Sequence, residues 1–146
     1  MRIRKQKIEI ESRTQIDFMN ITDLVQEAVD NSGIRDGQVL VYAPHTTMGV
    51  VVNHNEPMLI QDFMRLLYRI APIEDQYSHD LFELRRGHRS DGRSNGHSHC
   101  KSLLTGVNVT IPIEHGKLML ADKQAIFALD FDGARKRDLW VQTIGL

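Results

Sequence analysis

The sequence predicts an α+β fold, a mainly antiparallel β-sheet or sandwich with two or three packed helices, in a single domain over residues 1–146. Three observations predict it. The first half carries two stretches with helical apolar spacing, the second half is a series of short β-branched runs, and tight turns separate those runs.

Ile8 and Ile10, alternating with Lys7 and Glu9, predict a half-exposed first strand. Leu24, Val25, Ala28 and Val29 form a helical stripe opened by Asn20 or Thr22 and closed near Gly33. Residues 39–42 and 49–52 are β-branched and predict two strands, with Ala43-Pro44-His45-Thr46-Thr47 between them. Pro57 suits the first position of a second helix, whose buried stripe would be Leu59, Ile60, Phe63, Met64, Leu67 and Ile70, and Pro72 ends it.

Residues 74–95 are polar and, apart from Leu81-Phe82, show no period; an irregular stretch of that length in a small domain points to function. Strands follow at residues 107–113, 118–120, 125–131 and 139–144. The turns at Glu114-His115-Gly116-Lys117 and at Asp132-Gly133 predict antiparallel hairpins.

Charge narrows the partners. With 18 basic and 19 acidic side chains, no global field draws the chain to nucleic acid or to an anionic membrane surface. A single cysteine, Cys100, excludes an intramolecular disulfide and fits a reducing compartment. The N-terminus lacks the apolar block of a secretion signal and no later run is long enough to span a bilayer, so the expected location is cytoplasmic.

Seven histidines is a large number for this length, and six of them, His45, His54, His79, His88, His97 and His99, fall between positions 45 and 99. Imidazole binds first-row metals at neutral pH, and three protein ligands leave a position open for water or substrate. His97 and His99 share a face if extended but lie on nearly opposite faces if helical. Because residues 100–104 look helical, one ligand is expected from this pair, and His99 is the better placed.

Glu56 and Asp62 lie six residues apart and would not share a helix face, so they form no tight dyad, although either could serve alone as a general base. Asn55 or its neighbours could instead cap the helix that begins at Pro57. Arg135, Lys136 and Arg137 follow the Asp132-Gly133 turn, where a guanidinium could clamp a phosphate; arginines there are more commonly solvated edge charges.

His45-Thr46-Thr47, Asn53-His54-Asn55-Glu56, Tyr77-Ser78-His79, Asn95-Gly96-His97-Ser98-His99 and Asp132-Gly133-Ala134-Arg135 occur in the order seen in the YjbQ-like family, which the chain resembles over nearly its whole length. The stretch from Gly106 through Ile113, followed by Gly116-Lys117-Leu118-Met119-Leu120, is similar to that family's signature region. The resemblance implies a compact α+β homotrimer with sites near subunit boundaries, metal-binding histidines and a secondary thiamine-phosphate synthase activity. It further implies metal ligands at His45, His79 and His99. Glu56, Asp62 and Gln124 become the expected catalytic group, and Asn53, Lys101, Asp132 and Arg135 the expected substrate-binding group. Two departures stand out: the family's Gly-Thr-Trp-Gln is here Ala121-Asp122-Lys123-Gln124, and His54 replaces a more usual carboxylate. The missing tryptophan removes a surface on which a planar heterocycle could stack.

The expected function is therefore a metal-assisted enzyme acting on a small phosphorylated substrate. It would hold a divalent metal, zinc first and magnesium for a pyrophosphate substrate. The synthase reaction joins a thiazole phosphate to a pyrimidine pyrophosphate, with Arg135, Lys101 and Arg137 as clamps for the departing charge. Two other readings are a metal-dependent hydrolase with Glu56 or Asp62 as base, and a non-catalytic trimeric metal or small-ligand binder.

Overall fold

The computed structural model describes residues 1–86 and 93–146, with the side chains of residues 83–86 left aside. Elements follow the order β1 (Arg2–Glu11), β2 (Asp17–Asn20), α1 (Thr22–Ser32), β3 (Gly37–Tyr42), β4 (Met48–His54), α2 (Pro57–Ile70), α3 (Ser78–Arg86), α4 (Gly96–Thr105), β5 (Asn108–Glu114), β6 (Lys117–Leu118), β7 (Gln124–Asp130) and β8 (Lys136–Gly145). The strands form a five-stranded sheet, β1-β8-β3-β5-β6, and a three-stranded sheet, β2-β7-β4. Among the described residues every pairing is antiparallel, in line with the mainly antiparallel sheet expected.

The two sheets face each other across a core built by strand alternation: Val39, Val41, Ile111, Ile113, Leu139 and Val141 from one side meet Met48, Val50, Ile126 and Ala128 from the other. Helix α1 adds Val25, Ala28 and Val29 to that core. β7 is apolar on both faces because Ala125, Phe127 and Leu129 point away from the sandwich into a second cluster with Leu67 of α2. The expected stripe of α2 is thinner than its sequence suggests. Leu67 alone is fully buried and Ile70 is more than half exposed, since the small sheet offers α2 only three strands to cover.

Two expectations are corrected. The Asp132-Gly133 turn does not close a hairpin: β7 pairs with β2 and β4, whereas β8 pairs with β1 and β3, so the chain crosses there from one sheet to the other. The stretch that lacks a period is not wholly irregular, since α3 forms within it and makes four helices among the described residues. By contrast the Glu114-Lys117 turn is a hairpin as expected, and His115 and Gly116 adopt φ of 52° and 81°, the paired positive values of a two-residue I′ turn. The arginine-rich stretch at 85–93 falls partly outside the described residues, as does His88.

Candidate functional site

α4 brings the histidine motif to its place. Its N-terminus is held by Asp80 of α3, whose Oδ1 accepts the backbone N–H groups of Asn95 (3.1 Å) and Gly96 (3.0 Å). Gly96 is required by packing: a Cβ there would meet the Tyr77 side chain at 2.4 Å. Because the helix includes all of His97-Ser98-His99, the two imidazoles diverge as the helical alternative requires.

His97 turns inward and is fully buried with Lys101, one turn on. Lys101 Nζ donates to the Ala71 carbonyl at the end of α2 (2.7 Å) and to His97 Nδ1 (2.7 Å). Burial, and then the neighbouring ammonium, push His97 down to about 4; burial pushes Lys101 down to about 8. Lys101, expected as a clamp, braces α4 against α2, with its ammonium buried and directed at those two partners.

His99 turns outward into an open groove of about 770 Å³ that His45 also lines, together with Tyr42, Cys100 and Leu103. His79 of α3 packs edge-on against His99, with ring centroids 4.6 Å apart. The hydrogen bonds fix all three tautomers. His45 Nε2 donates to the Asp138 carbonyl (2.9 Å), His99 Nδ1 to the Thr46 carbonyl (3.1 Å) and His79 Nε2 to the Asn95 side-chain oxygen (3.1 Å), and a carbonyl oxygen can only accept. In the neutral rings the lone pair of His45 and that of His79 then fall on Nδ1. This is the arrangement of ligating histidines, whose second nitrogen is spent on orientation.

Close convergence is met by His79 and His99. Among the described residues no three His, Cys, Asp or Glu side chains gather tightly enough to hold an ion by themselves.

Beside His79 lies a polar corner. Asn95 Nδ2 donates to Asp132 Oδ2 (3.2 Å), which also accepts from Arg135 Nη2 (3.3 Å), and Arg93 donates to the Gly133 carbonyl. Asp132 is only 4% exposed, whereas Arg135 reaches solvent. Behind this corner stands a buried network that sequence reading missed. Arg137 binds Asp130 through Nε (3.0 Å) and Nη2 (2.9 Å) and reaches Thr47 Oγ1 (3.0 Å), while Ser12 Oγ donates to Asp130 Oδ2 (2.7 Å). Burial raises the Asp130 carboxyl, but its hydrogen bonds from Arg137, Ser12 and the Asp132 N–H and the guanidinium charge outweigh it and hold it below the ordinary carboxylate value. Arg137, expected as a clamp, is thus a structural partner that sets the 130–135 corner.

The remaining expected residues lie elsewhere. Asn53 lines an apolar pocket of about 150 Å³ beneath α2 with Phe18, Phe63 and Phe127. Gln124 sits opposite His54 in the register and its Oε1 accepts the Ala121 N–H. Asp62 pairs with Arg65 on the exposed side of α2 (2.6 Å). Glu56 is the N-cap of α2, accepting from the N–H groups of Met58 (2.9 Å) and Leu59 (2.8 Å). Glu56→Ala is accordingly expected to lower stability by about 0.5–2 kcal/mol, read by chemical denaturation.

Met48 pairs with Asp130 and His54 with Gln124, so the two ends of β4 are about 20 Å apart at ordinary strand rise. The Asn53-Glu56-Gln124 group and the histidine groove therefore occupy opposite ends of the small sheet.

A two-sheet antiparallel sandwich with an inward-braced helix that turns His99 into an open groove defines the class of this protein. The chain belongs to the UPF0047 YjbQ-like family, whose model matches residues 6–146. A UPF0047 protein of Archaeoglobus fulgidus is 34% identical over 94% of this chain and 99% of its own length. A Bacillus subtilis member is 30% identical over 94% and 97%. Among solved structures, a Clostridium acetobutylicum member of the YjbQ/UPF0047 family is 34% identical with a TM-score of 0.83, covering 95% of this chain and 99% of that one. A YbjQ-like protein of Sulfolobus solfataricus, 26% identical, superimposes with a TM-score of 0.88 over 99% of both chains. Among the described residues no helix is long and apolar enough to cross a membrane.

Proposed function

We propose that this protein is a cytoplasmic, metal-assisted enzyme that binds a small phosphorylated substrate in the groove lined by His45 and His99, beside His79. The leading reaction is the joining of a thiazole phosphate to a pyrimidine pyrophosphate with loss of pyrophosphate. The observation that carries this reading is the anchoring of the rings: each of the three imidazoles directs one nitrogen at a fixed carbonyl oxygen, the orienting contact that ligating histidines make. Imidazole nitrogens suit a divalent cation, zinc first, with magnesium suited to a pyrophosphate; His79 and His99 would supply the close pair of ligands. Bound there, the cation would supply Lewis-acid stabilisation of the departing charge.

The chain's own residues do the rest. Arg135, in the polar corner beside His79, would offer a guanidinium to phosphate oxygens, and Asp132 holds it there. A homotrimer, proposed with it, would let Glu56 and Gln124 from the far end of the small sheet meet the groove of another subunit. The outer face of the five-stranded sheet supports the same reading: it leaves Trp140, Tyr42 and Ile3 exposed, and its shallow cavity shares Tyr42 with the groove.

Purified protein, with and without chelator, is to be incubated with the two thiamine precursors and with a panel of phosphate and amide substrates. Chelator-sensitive formation of thiamine phosphate is the expected result. Turnover confined to hydrolysis rejects the synthase reading, and no turnover on any substrate leaves a metal or ligand binder.

A further inference from the structure

We infer that Asn95 is a positioning residue, whose side-chain amide, oriented by the buried carboxylate of Asp132, fixes the tautomer in which His79 presents Nδ1 to its ligand. The inference deepens the proposed function and rests on it for the identity of that ligand, but the tautomer is a property of the protein alone.

An asparagine amide can be turned over with almost no change of shape, so its neighbours decide which end is oxygen. Asp132 decides it here. A carboxylate hydrogen-bonded in this way accepts, so the amide end 3.2 Å from Asp132 Oδ2 is the NH₂ group, and the end 3.1 Å from His79 Nε2 is the oxygen. The oxygen in turn demands a proton on His79 Nε2. The lone pair is thereby placed on Nδ1, on the ring that packs edge-on against His99.

Each member of this chain is held from more than one side. The carboxylate of Asp132 is flanked by Arg135 Nη2 at 3.3 Å and by Arg93 Nη2 at 4.0 Å, so its sign is balanced by two guanidiniums. Asp132 Oδ1 is buried and makes no hydrogen bond, which concentrates the ordering of the carboxylate on its Oδ2 contacts. The backbone N–H of Asn95 is pinned by Asp80, and its carbonyl opens α4 by accepting from Ser98 and His99. Carboxylate, amide and imidazole thus form one relay in which an exposed arginine pair and a groove histidine are coupled through a neutral side chain. Shells of this kind commonly alter metal affinity 10- to 100-fold.

The test is the pair of ring ¹⁵N chemical shifts of His79, measured in the full, metal-free chain. The wild type is expected to carry its proton on Nε2. Asp132→Ala, which removes the acceptor that orients the amide, is expected to weaken that preference, and Asn95→Ala to lose it while the melting profile shows a folded chain. Zinc titrated into Asn95→Ala should bind about 10- to 100-fold more weakly than into the wild type. A wild-type proton on Nδ1 overturns the inference, as does an unchanged tautomer in Asn95→Ala. The wild-type spectrum alone decides it even if the alanine variants do not fold. If the wild type takes up no zinc, the metal reading of the groove fails while the tautomer result still stands or falls alone.

Discussion

Arg137→Met is expected to destabilise the fold by about 3–5 kcal/mol, a large share of the roughly 5–15 kcal/mol that holds a domain together. The loss arises less from the missing contacts than from what remains. Asp130 is wholly buried, and without the guanidinium its charge has only Ser12 and the Asp132 N–H for company. Changing Asp130 to Leu in the same chain should recover much of the loss, because a buried pair replaced as a unit leaves no stranded charge. Urea denaturation of the single and double variants checks both statements. The pair also predicts acid behaviour. Since the Asp130 carboxyl titrates below its ordinary value in the folded state, its contribution is complete above about pH 4 and is lost as pH falls through the lowered folded value. The Arg137→Met/Asp130→Leu protein should lack that component of acid sensitivity.

Lys101→Met is expected to flatten an alkaline rise in stability. In the folded chain the ammonium gives up its proton near pH 8, whereas in the unfolded chain it keeps it to about 10.5. Between those values the unfolded state binds the extra proton, so raising pH favours the fold, by about 3 kcal/mol over the full window. The same sign holds for His97, which is neutral in the folded chain down to about 4 and protonated in the unfolded chain below about 6.5, so stability also rises through that interval. Near neutral pH the methionine variant removes a buried charge but leaves the Ala71 carbonyl and His97 Nδ1 without their donor, and these effects oppose each other. The slope of stability against pH between 8 and 10.5, measured on chelator-treated protein, is therefore the informative quantity.

What could be read from the sequence is what local chemistry determines. Pro57 marks the start of α2, and the His115-Gly116 pair marks a hairpin because two consecutive positive φ values demand such residues. The double-sided apolar run of β7 betrays a strand covered on both faces. The rest depends on contacts distant in the chain. α3 has no apolar period because it is held through Asp80 at the neighbouring helix terminus, and the four-residue β2 is too short to show alternation. A turn at Asp132-Gly133 looks the same in sequence whether it closes a hairpin or carries the chain between sheets.

The site shows the same division. His45, His79 and His99 were nameable as one group, and their neighbourhood in the fold agrees with that for the groove wall and the His79–His99 contact. The i, i+4 spacing of His97 and Lys101 was visible, but nothing local distinguishes a lysine buried against a helix end from one reaching a phosphate. Nor does the sequence show that Glu56 spends both carboxylate oxygens on capping α2. Asn95 was visible only as part of a motif; its role comes from Asp132, 37 residues away.

Titration of chelator-treated protein with cobalt(II), followed by visible absorption in the wild type and in His79→Ala and His99→Ala, tests the central claim most directly. Saturable uptake with nitrogen-ligand bands, lost or strongly weakened in both variants while their melting profiles persist, is the predicted result. No uptake by the wild type, or the same spectrum and affinity in His99→Ala, would contradict a metal centre on this groove.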